Sequence, residues 1–331
     1  MVKRLAVIAC LTAFTTACTT FEREDVVLDL RILAIAAEPP DQVIDVDLEH
    51  PPDPIDLLDQ LAPTTVCALV ADPDLERKLR YELTLCVLDN DLRCSSEPRV
   101  ALGQDVIDNP DSTIPGSRIC ATIAPDGNLA GILLDALEGD VLHGLGGVDY
   151  GVELRVGLEF EDPASDQFAG KTLRVSPRIP AERTPNANPS VLGLDISDGE
   201  GFITPPGRRC IDYFDAEFPP FEVTAGDSVK ITPVEPDGGR ESYTVPTLDG
   251  GQQTFTESWT YHWFAAAGSF SAASTGGPRD LLGNPPVLHS DYRAPTARQL
   301  GGFVTDIPIW IVQRDERLGV RWYEDCIRVR P

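Results

Sequence analysis

Apolar and polar side chains alternate along several short segments of this chain. In residues 152–160 every even-numbered position is apolar, while Glu153, Arg155 and Glu159 stand between them. A period of two is typical of an antiparallel strand that buries one face. Strand-like runs separated by turn residues recur at 25–36, 64–70, 79–88, 171–175, 221–231, 254–265, 307–312 and 319–329. The pattern predicts an all-β fold built from antiparallel sheets.

Three segments depart from this pattern. The spacing of apolar residues over 129–137 is compatible with a short helix, with a strand as the alternative. Residues 39–63 contain six prolines and many acidic side chains, which favours an exposed, extended loop or insertion. Residues 183–189 are polar, turn-rich and free of large apolar side chains, so they are the best candidate for an interdomain linker. We therefore expect a first sandwich at 26–182 and a second at 190–331.

Length and charge restrict the classes of partner. The chain has 331 residues, enough for about two domains of roughly 100–200 residues each. It carries 53 acidic and 27 basic side chains, for a formal charge of -26. This charge disfavours nucleic acid and anionic membrane surfaces as electrostatic partners. The acidity is most simply that of a solvated surface that resists nonspecific association.

The N-terminus has the organisation of an export signal. A short positive region precedes a run of mostly apolar or small residues that is too short to span a bilayer as a helix. The run ends in Thr15-Thr16-Ala17-Cys18, which resembles the lipobox of bacterial lipoproteins. The resemblance implies removal of residues 1–17, lipidation of Cys18 and a short tether at 18–25. The alternative is an ordinary cleaved signal, in which Cys18 is a plain thiol.

The same resemblance implies a location. Thr19 and Thr20 stand where some lipoproteins carry the Asp that marks retention at the inner membrane. We therefore expect the outer membrane, with the N-terminal lipid as the contact to the bilayer. Stable anchoring needs more than one acyl chain, since a single chain binds membranes only marginally. The acidic body would be repelled by anionic headgroups, so the lipid must hold it at the membrane.

Six further cysteines follow Cys18. An even number behind an export signal indicates three disulfides in an oxidising compartment, although sequence alone does not fix the connectivity. Cys86–Cys94 is a candidate because the pair flanks a turn-rich hairpin segment. Cys67–Cys120 is a second candidate, in two strand-like runs that could pair across or between sheets. Cys210–Cys326 is the third, as the only pair of the C-terminal half. A metal site is the weaker interpretation, because no C-x₂-C pair is present and the histidines are scattered.

Several short motifs of the C-terminal half resemble bacterial Ig-like and PKD-like domains. They are Gly226-Asp227-Ser228-Val229, Trp259-Thr260-Tyr261-His262-Trp263, Gly268-Ser269-Phe270-Ser271 and Tyr292-Arg293-Ala294-Pro295. The N-terminal half carries a weaker copy around Tyr81-Glu82-Leu83, and residues 30–40 resemble the mature start of uncharacterised myxobacterial lipoproteins. The resemblance implies two tandem Ig-like or PKD-like β-sandwiches and no particular activity.

Familiar catalytic signatures are missing from the sequence. It contains no G-x-S-x-G, H-E-x-x-H or P-loop motif. His289-Ser290-Asp291 has the residue types of a catalytic triad, but neighbours in an extended chain point to opposite faces. We therefore expect a non-catalytic envelope protein without a cofactor, with a structural, adhesive or protein-interaction role and an envelope protein or polysaccharide as partner. An unrecognised enzyme or accessory subunit is a further alternative.

Two residue sets remain as candidate binding groups. Trp259, Tyr261 and Trp263 recur at even spacing with Phe255, so an extended run places all four on one face. An exposed row would stack against sugar rings, whereas a buried row would form the core of a sandwich, which is the commoner arrangement. Acidic residues of two turns, one of them joining the runs 64–70 and 79–88, could supply oxygen ligands for Ca²⁺. These weak calcium candidates are Asp72, Asp74, Asp89 and Asp91.

Overall fold

The computed structural model describes residues 23–47, 57–72, 77–94, 97–107, 116–141, 144, 146–197, 202–204, 209–213, 219–247 and 251–331. The signal segment, Cys18 and Asp74 lie outside these residues. The elements of the N-terminal half are β1 (Arg31–Glu38), β2 (Asp41–Ile44), β3 (Thr64–Ala71), β4 (Leu79–Cys86), β5 (Val100–Ile107), β6 (Gly116–Ile123), α1 (Gly127–Gly139), β7 (Val148–Leu158), a 3-10 turn (Pro163–Ser165) and β8 (Gln167–Pro177).

The C-terminal half continues the strand series. Its elements are β9 (Gly193–Ser197), β10 (Phe202–Thr204), a 3-10 turn (Cys210–Tyr213), β11 (Phe221–Thr224), β12 (Ser228–Val234), β13 (Ser242–Pro246), β14 (Gln252–Thr256), β15 (Thr260–Ala265), β16 (Ser269–Phe270), β17 (Ser274–Gly276), β18 (Ser290–Arg293), β19 (Thr305–Arg314) and β20 (Val320–Arg330).

Two sheets enclose the core of the N-terminal half. Sheet 1 has the strand order β1-β3-β6, and sheet 2 has the order β2-β8-β7-β4-β5. Strand pairs are antiparallel except for the edge pair β2 and β8, which is parallel. The predicted inward positions Val152, Leu154 and Val156 of β7 are completely buried, as the alternation requires. Phe160 lies beyond the end of this strand and is 90% exposed.

The C-terminal half repeats this topology with different residues. Sheet 3 has the order β10-β9-β12-β18-β16, and sheet 4 has the order β11-β20-β19-β15-β17. The strands β9-β12-β18 correspond to sheet 1, and sheet 4 corresponds to sheet 2, including its parallel edge pair β11 and β20. A separate hairpin, β13–β14, extends from this half. Both halves are therefore antiparallel sandwiches with Ig-like strand order, and the predicted all-β fold is confirmed.

The predicted helix is present, and its start has a clear local cause. Helix α1 begins after Asp126, whose carboxylate accepts hydrogen bonds from the amides of Asn128 and Leu129 at 2.9 and 3.3 Å. An Asp at this position satisfies amides that have no partner inside the helix. Leu129 and Ile132 then turn inward and close one end of the first core.

The expected exposed loop at 39–63 is wrong where the structure describes it. Residues 41–44 form β2, the edge strand of sheet 2, and Gln42 bonds to Thr64 through its side chain. Leu58 and Leu61 are buried in the first core. Proline is tolerated in an edge strand and at its ends, so the proline content was compatible with a place in the sheet.

One other strand prediction also needs correction, and a second gains a sheet assignment. The runs 64–70 and 79–88 form the consecutive strands β3 and β4, as predicted, and these strands lie in opposite sheets. The run 254–265 is not one strand but two, β14 and β15, separated at residues 257–259. Phe255 accordingly belongs to the projecting hairpin and is 39% exposed, apart from the other aromatic residues of the run.

Three disulfides are formed, and each joins a pair named as a candidate. Cys67–Cys120 links directly opposed residues of β3 and β6 within sheet 1, so it crosses between neighbouring strands rather than between sheets. Cys86–Cys94 closes the turn that follows β4. Cys210–Cys326 fastens the Cys210–Tyr213 turn to the last strand across a sequence separation of 116 residues. Beside this bond, the Tyr213 hydroxyl donates to the carboxylate of Asp325 at 2.8 Å.

The two sandwiches pack against each other through the outer faces of sheets 1 and 4. Leu33 and Leu69 from sheet 1 form one buried cluster with Trp310, Val312 and Val320 from sheet 4. Trp310 and Val312 are completely buried although they point away from the core of their own sandwich. The two halves therefore form one body of four stacked sheets rather than two separate domains.

The segment at 183–189 is fixed between the halves. The side-chain Nδ2 of Asn188 donates to the Ala37 oxygen of β1 at 2.6 Å, and its Oδ1 accepts from the Val320 backbone amide of β20 at 2.9 Å. Asn186 is 3% exposed and donates to the carboxylate of Asp315 at 3.0 Å. The predicted linker thus bonds to both sandwiches through its polar residues.

The first described residues dock on the C-terminal half before the chain enters sheet 1. Val26 pairs with Ala265 at the end of β15, and the Val27 amide donates to the Ala265 oxygen at 3.0 Å. The carboxylate of Asp25 accepts from the Phe270 amide at 2.5 Å, and Arg23 donates to the Phe270 oxygen at 2.7 Å. The start of the folded body is thus fastened to the second sandwich.

Candidate functional site

The aromatic row is part of the second core and cannot serve as a sugar-stacking platform. Trp259, Tyr261 and Trp263 are at most 1% exposed. The Trp263 ring nitrogen donates to the Thr275 hydroxyl at 2.9 Å, and the Tyr261 hydroxyl donates to Glu235 at 2.8 Å. The polar atoms of these rings are satisfied inside the protein, as buried Tyr and Trp require.

Two of the calcium candidates, Asp72 and Asp89, are engaged in other contacts, and Asp74 lies outside the described residues. Asp72 is 2% exposed and forms an ion pair with Arg77. Asp89 accepts from the backbone amides of Asp91 and Arg93, both at 2.9 Å, which makes it a turn former. In the described residues no group of three or more His, Cys, Asp or Glu side chains is placed to hold a metal ion.

The sequence His289-Ser290-Asp291 does not form a catalytic relay. Ser290 is completely buried, and its hydroxyl donates to the Ala272 oxygen at 2.9 Å. The same hydroxyl oxygen accepts from the Ala272 amide at 3.1 Å. The serine therefore holds a loop beside β18 and is not joined to the histidine by a hydrogen bond.

A groove of about 740 Å³ opens between the β13–β14 hairpin and the loop at 277–289. Within the groove Arg240 pairs with Glu235 at 2.8 Å, and Glu257 of its wall pairs with Arg317 outside it at 3.2 Å. Its apolar lining comes from the hairpin and from the proline-rich loop, and consists of Phe255, Pro278, Pro285, Pro286 and Leu288. The groove thus combines an apolar wall with charged side chains, some of which are paired.

The outer end of the loop displays two leucines in a turn held by hydrogen bonds. The Asp280 carboxylate accepts from the amides of Leu282 and Asn284, both at 2.8 Å, and from the Asn284 side chain at 2.7 Å. These bonds, those from Asn284 first, lower the pKa of Asp280. Gly283 has φ 84°, which closes the turn in a conformation that favours glycine. We call residues 279–284 the leucine turn.

Leu281 and Leu282 on this turn are among the most exposed large apolar side chains of the described residues. Leu281 is fully exposed, and Leu282 is 87% exposed. Sequence reasoning missed this pair. The available signal was two adjacent leucines inside a stretch of Gly, Pro, Asp and Asn, where turn chemistry predicts exposure.

No family model and no curated protein matches this chain. Among solved structures, a red sea bream transglutaminase shares 8% identity over 92% of this chain and 32% of its own, with TM-score 0.26. AggA, the major subunit of an Escherichia coli aggregative adherence fimbria, shares 11% identity over 47% of this chain and 99% of its own, with TM-score 0.22. Murine CEACAM1b shares 9% identity over 91% of this chain and all of its own, with TM-score 0.19. The chain spans about a third of the transglutaminase, and none of these similarities carries a functional argument.

Proposed function

We propose that this protein is a non-catalytic lipoprotein of the cell envelope that acts by binding another protein through the leucine turn. The observation that carries the proposal is the display of Leu281 and Leu282 in a turn fixed by Asp280. A contact surface that is already ordered loses little conformational entropy on binding. Two apolar side chains that project from a rigid turn suit an apolar pocket on a partner protein.

A protein partner fits this surface better than a polysaccharide does. Leucine side chains offer neither a flat aromatic ring nor a hydrogen-bonding group to a sugar. The aromatic residues that would favour a glycan, Trp259 and Trp263, are buried. A bilayer is disfavoured as the direct occupant, because the chain carries a formal charge of -26 and would be repelled by anionic headgroups.

The envelope location rests on the N-terminal sequence. The export signal and the cysteine at position 18 support lipidation and anchoring at the outer membrane. Three disulfides support an oxidising compartment. No helix within the described residues is long and apolar enough to cross a membrane. On this proposal the lipid holds the body at the membrane, and the rigid pair of sandwiches presents the leucine turn.

Substitution of both leucines, combined with crosslinking in intact cells, tests the binding role. A photoreactive residue at position 282 should form one defined adduct, and Leu281→Asp should abolish it without a change in the unfolding midpoint. The matched control is a photoreactive residue at Phe160, which is 90% exposed on the other sandwich and should form no such adduct. Equal adducts at 160 and 282, or an adduct that survives Leu281→Asp, would contradict the proposal. Separately, unchanged mass and membrane retention in Cys18→Ser would show that the anchor assignment is wrong.

A further inference from the structure

A second cleft, of about 440 Å³, lies where the two sandwiches meet. Its walls are the segment after β8, the β13–β14 hairpin and the turn between β19 and β20. Three arginines line it, Arg174, Arg183 and Arg317, in a chain that has about twice as many acidic as basic side chains. The acids that line the same cleft are Asp41, Glu182 and Glu316.

Two of the three arginines already have carboxylate partners. Arg174 pairs with Asp149 at 2.5 Å, and Arg317 pairs with Glu241 and Glu257, both at 3.2 Å. These two side chains therefore have structural roles.

Arg183 differs from its neighbours. Its guanidinium donates to the Ser176 hydroxyl at 2.9 Å and forms no ion pair with a described residue. A guanidinium has five N–H donors, so four of them remain for other acceptors. Burial lowers the pKa of Arg183, Asp41 opposes this effect, and Arg174 and Arg317 reinforce it. A half-buried, incompletely partnered cation of this kind is stabilised by an incoming anion.

Asp41, Glu182 and Glu316 line the cleft with Arg183, but none of these three acids forms an ion pair with it. Both oxygens of Glu316 are occupied, since they accept from the Tyr243 hydroxyl at 2.9 Å and from the Ser258 amide at 3.1 Å. Asp41 is 7% exposed and accepts from the Asn186 amide, and its charge also interacts with those of Arg317, Arg183 and Arg174. Glu182 is exposed.

We propose that the cleft between the sandwiches binds an oxyanion, a carboxylate or a phosphate group, with Arg183 as its principal ligand. The planar fork of a guanidinium matches the paired oxygens of both groups and binds them more strongly than neutral groups do. The cleft lies at the junction of the halves, so a bound anion would contact residues of both. This site is distinct from the leucine turn, and its occupation does not depend on the proposed protein partner.

Calorimetric titration of the intact folded protein at low ionic strength tests the site. The probes are glucuronate for a carboxylate, inorganic phosphate for a phosphate, and glucose as the neutral comparison. We expect at least one anion to bind and glucose not to bind. The anion that binds more tightly shows whether the site prefers a carboxylate or a phosphate group. Absence of binding by both anions would overturn the proposal.

Three variants assign the binding to Arg183. Arg183→Gln should weaken anion binding about tenfold or more, because the charge and the fork are both lost. Arg183→Lys keeps the positive charge without the planar guanidinium and should bind the anion with intermediate affinity. If Arg183→Gln does not fold, the reduced affinity of Arg183→Lys tests the assignment instead. Arg298→Gln is the matched control, since it removes an equal charge at an exposed position outside the cleft and should bind like the wild type. Equal affinity in Arg183→Gln and Arg298→Gln would refute the assignment.

Discussion

The side-chain amine of Lys171, in β8 of the first sandwich, donates a hydrogen bond to the backbone oxygen of Leu318, in the last turn of the second. Lys171 is 6% exposed. Burial lowers its pKa to about 8, an effect to which Arg314 adds and which Asp315 opposes. The contact between the halves thus contains a buried amine beside its apolar cluster, and this amine makes the stability of the junction depend on pH.

Replacement of Lys171 by methionine should remove that pH dependence. The amine titrates near pH 8 in the folded protein and near its ordinary 10.5 in the unfolded chain, so the unfolded chain binds more protons between these values. Lys171 therefore makes the free energy of unfolding rise with pH in this window, by at most about 1.4 kcal/mol per pH unit. Urea titrations between pH 7.5 and 10 should show the wild type gaining stability relative to Lys171→Met. Parallel curves would contradict the assignment, and the exposed Lys230→Met serves as the control.

Truncation of Trp310 should destabilise the junction. This ring is completely buried between sheets 1 and 4. Removing a large buried aromatic side chain costs about 3–5 kcal/mol. Calorimetry should show a single unfolding transition for the wild type and two transitions for Trp310→Ala, because each sandwich keeps its own core. The exposed Phe160→Ala should change stability by less than about 0.5 kcal/mol. One unshifted transition in Trp310→Ala would mean that the halves do not support each other.

Loss of the long-range disulfide should cost more than loss of the local one. Cys210–Cys326 spans 116 residues and Cys86–Cys94 spans 8. In the chain-entropy model these loops correspond to about 5 and about 2.5 kcal/mol. Urea unfolding of the two double Cys→Ser variants under identical conditions should reproduce this order. The reverse order would show that strain or residual structure, not loop closure, controls the stability of this protein.

Burial of the aromatic row predicts weak fluorescence quenching. Trp259, Trp263 and Trp310 are at most 1% exposed, which leaves the partly buried Trp322 as the accessible tryptophan. Native protein should therefore be quenched weakly by iodide, and Trp322→Phe should remove most of that quenching. Oligosaccharides should leave the spectrum unchanged. A sugar-induced shift that persists in Trp322→Phe would restore the glycan interpretation.

Local sequence patterns predicted much of the secondary structure. Strict alternation located β7, and apolar spacing located helix α1, because both depend on neighbours within the same element. Alternation does not identify which strand pairs with which, so it does not show that the consecutive strands β3 and β4 lie in opposite sheets. Pairing depends on contacts between residues far apart in sequence, which a single chain pattern does not specify.

The contact between the sandwiches was missed, although the sequence carried a signal for it. Residues 307–312 and 66–71 are continuous apolar runs rather than alternating ones. Such runs are typical of strands buried on both faces. Asn186 and Asn188 had no comparable signal, because polar residues in a turn-rich segment serve equally well in free linkers and in bonded junctions. Leu281 and Leu282 belong to no alternating or helical apolar pattern, so the patterns that predict core residues do not select them.

Small-angle scattering of residues 19–331 tests most directly whether the two sandwiches form one body. A single compact chain of this length has a radius of gyration of about 19 Å. The packing of Trp310 against sheet 1 predicts that value, unchanged across salt concentrations. A radius near 25 Å, the rough value for two compact halves joined end to end by a flexible linker, would contradict it.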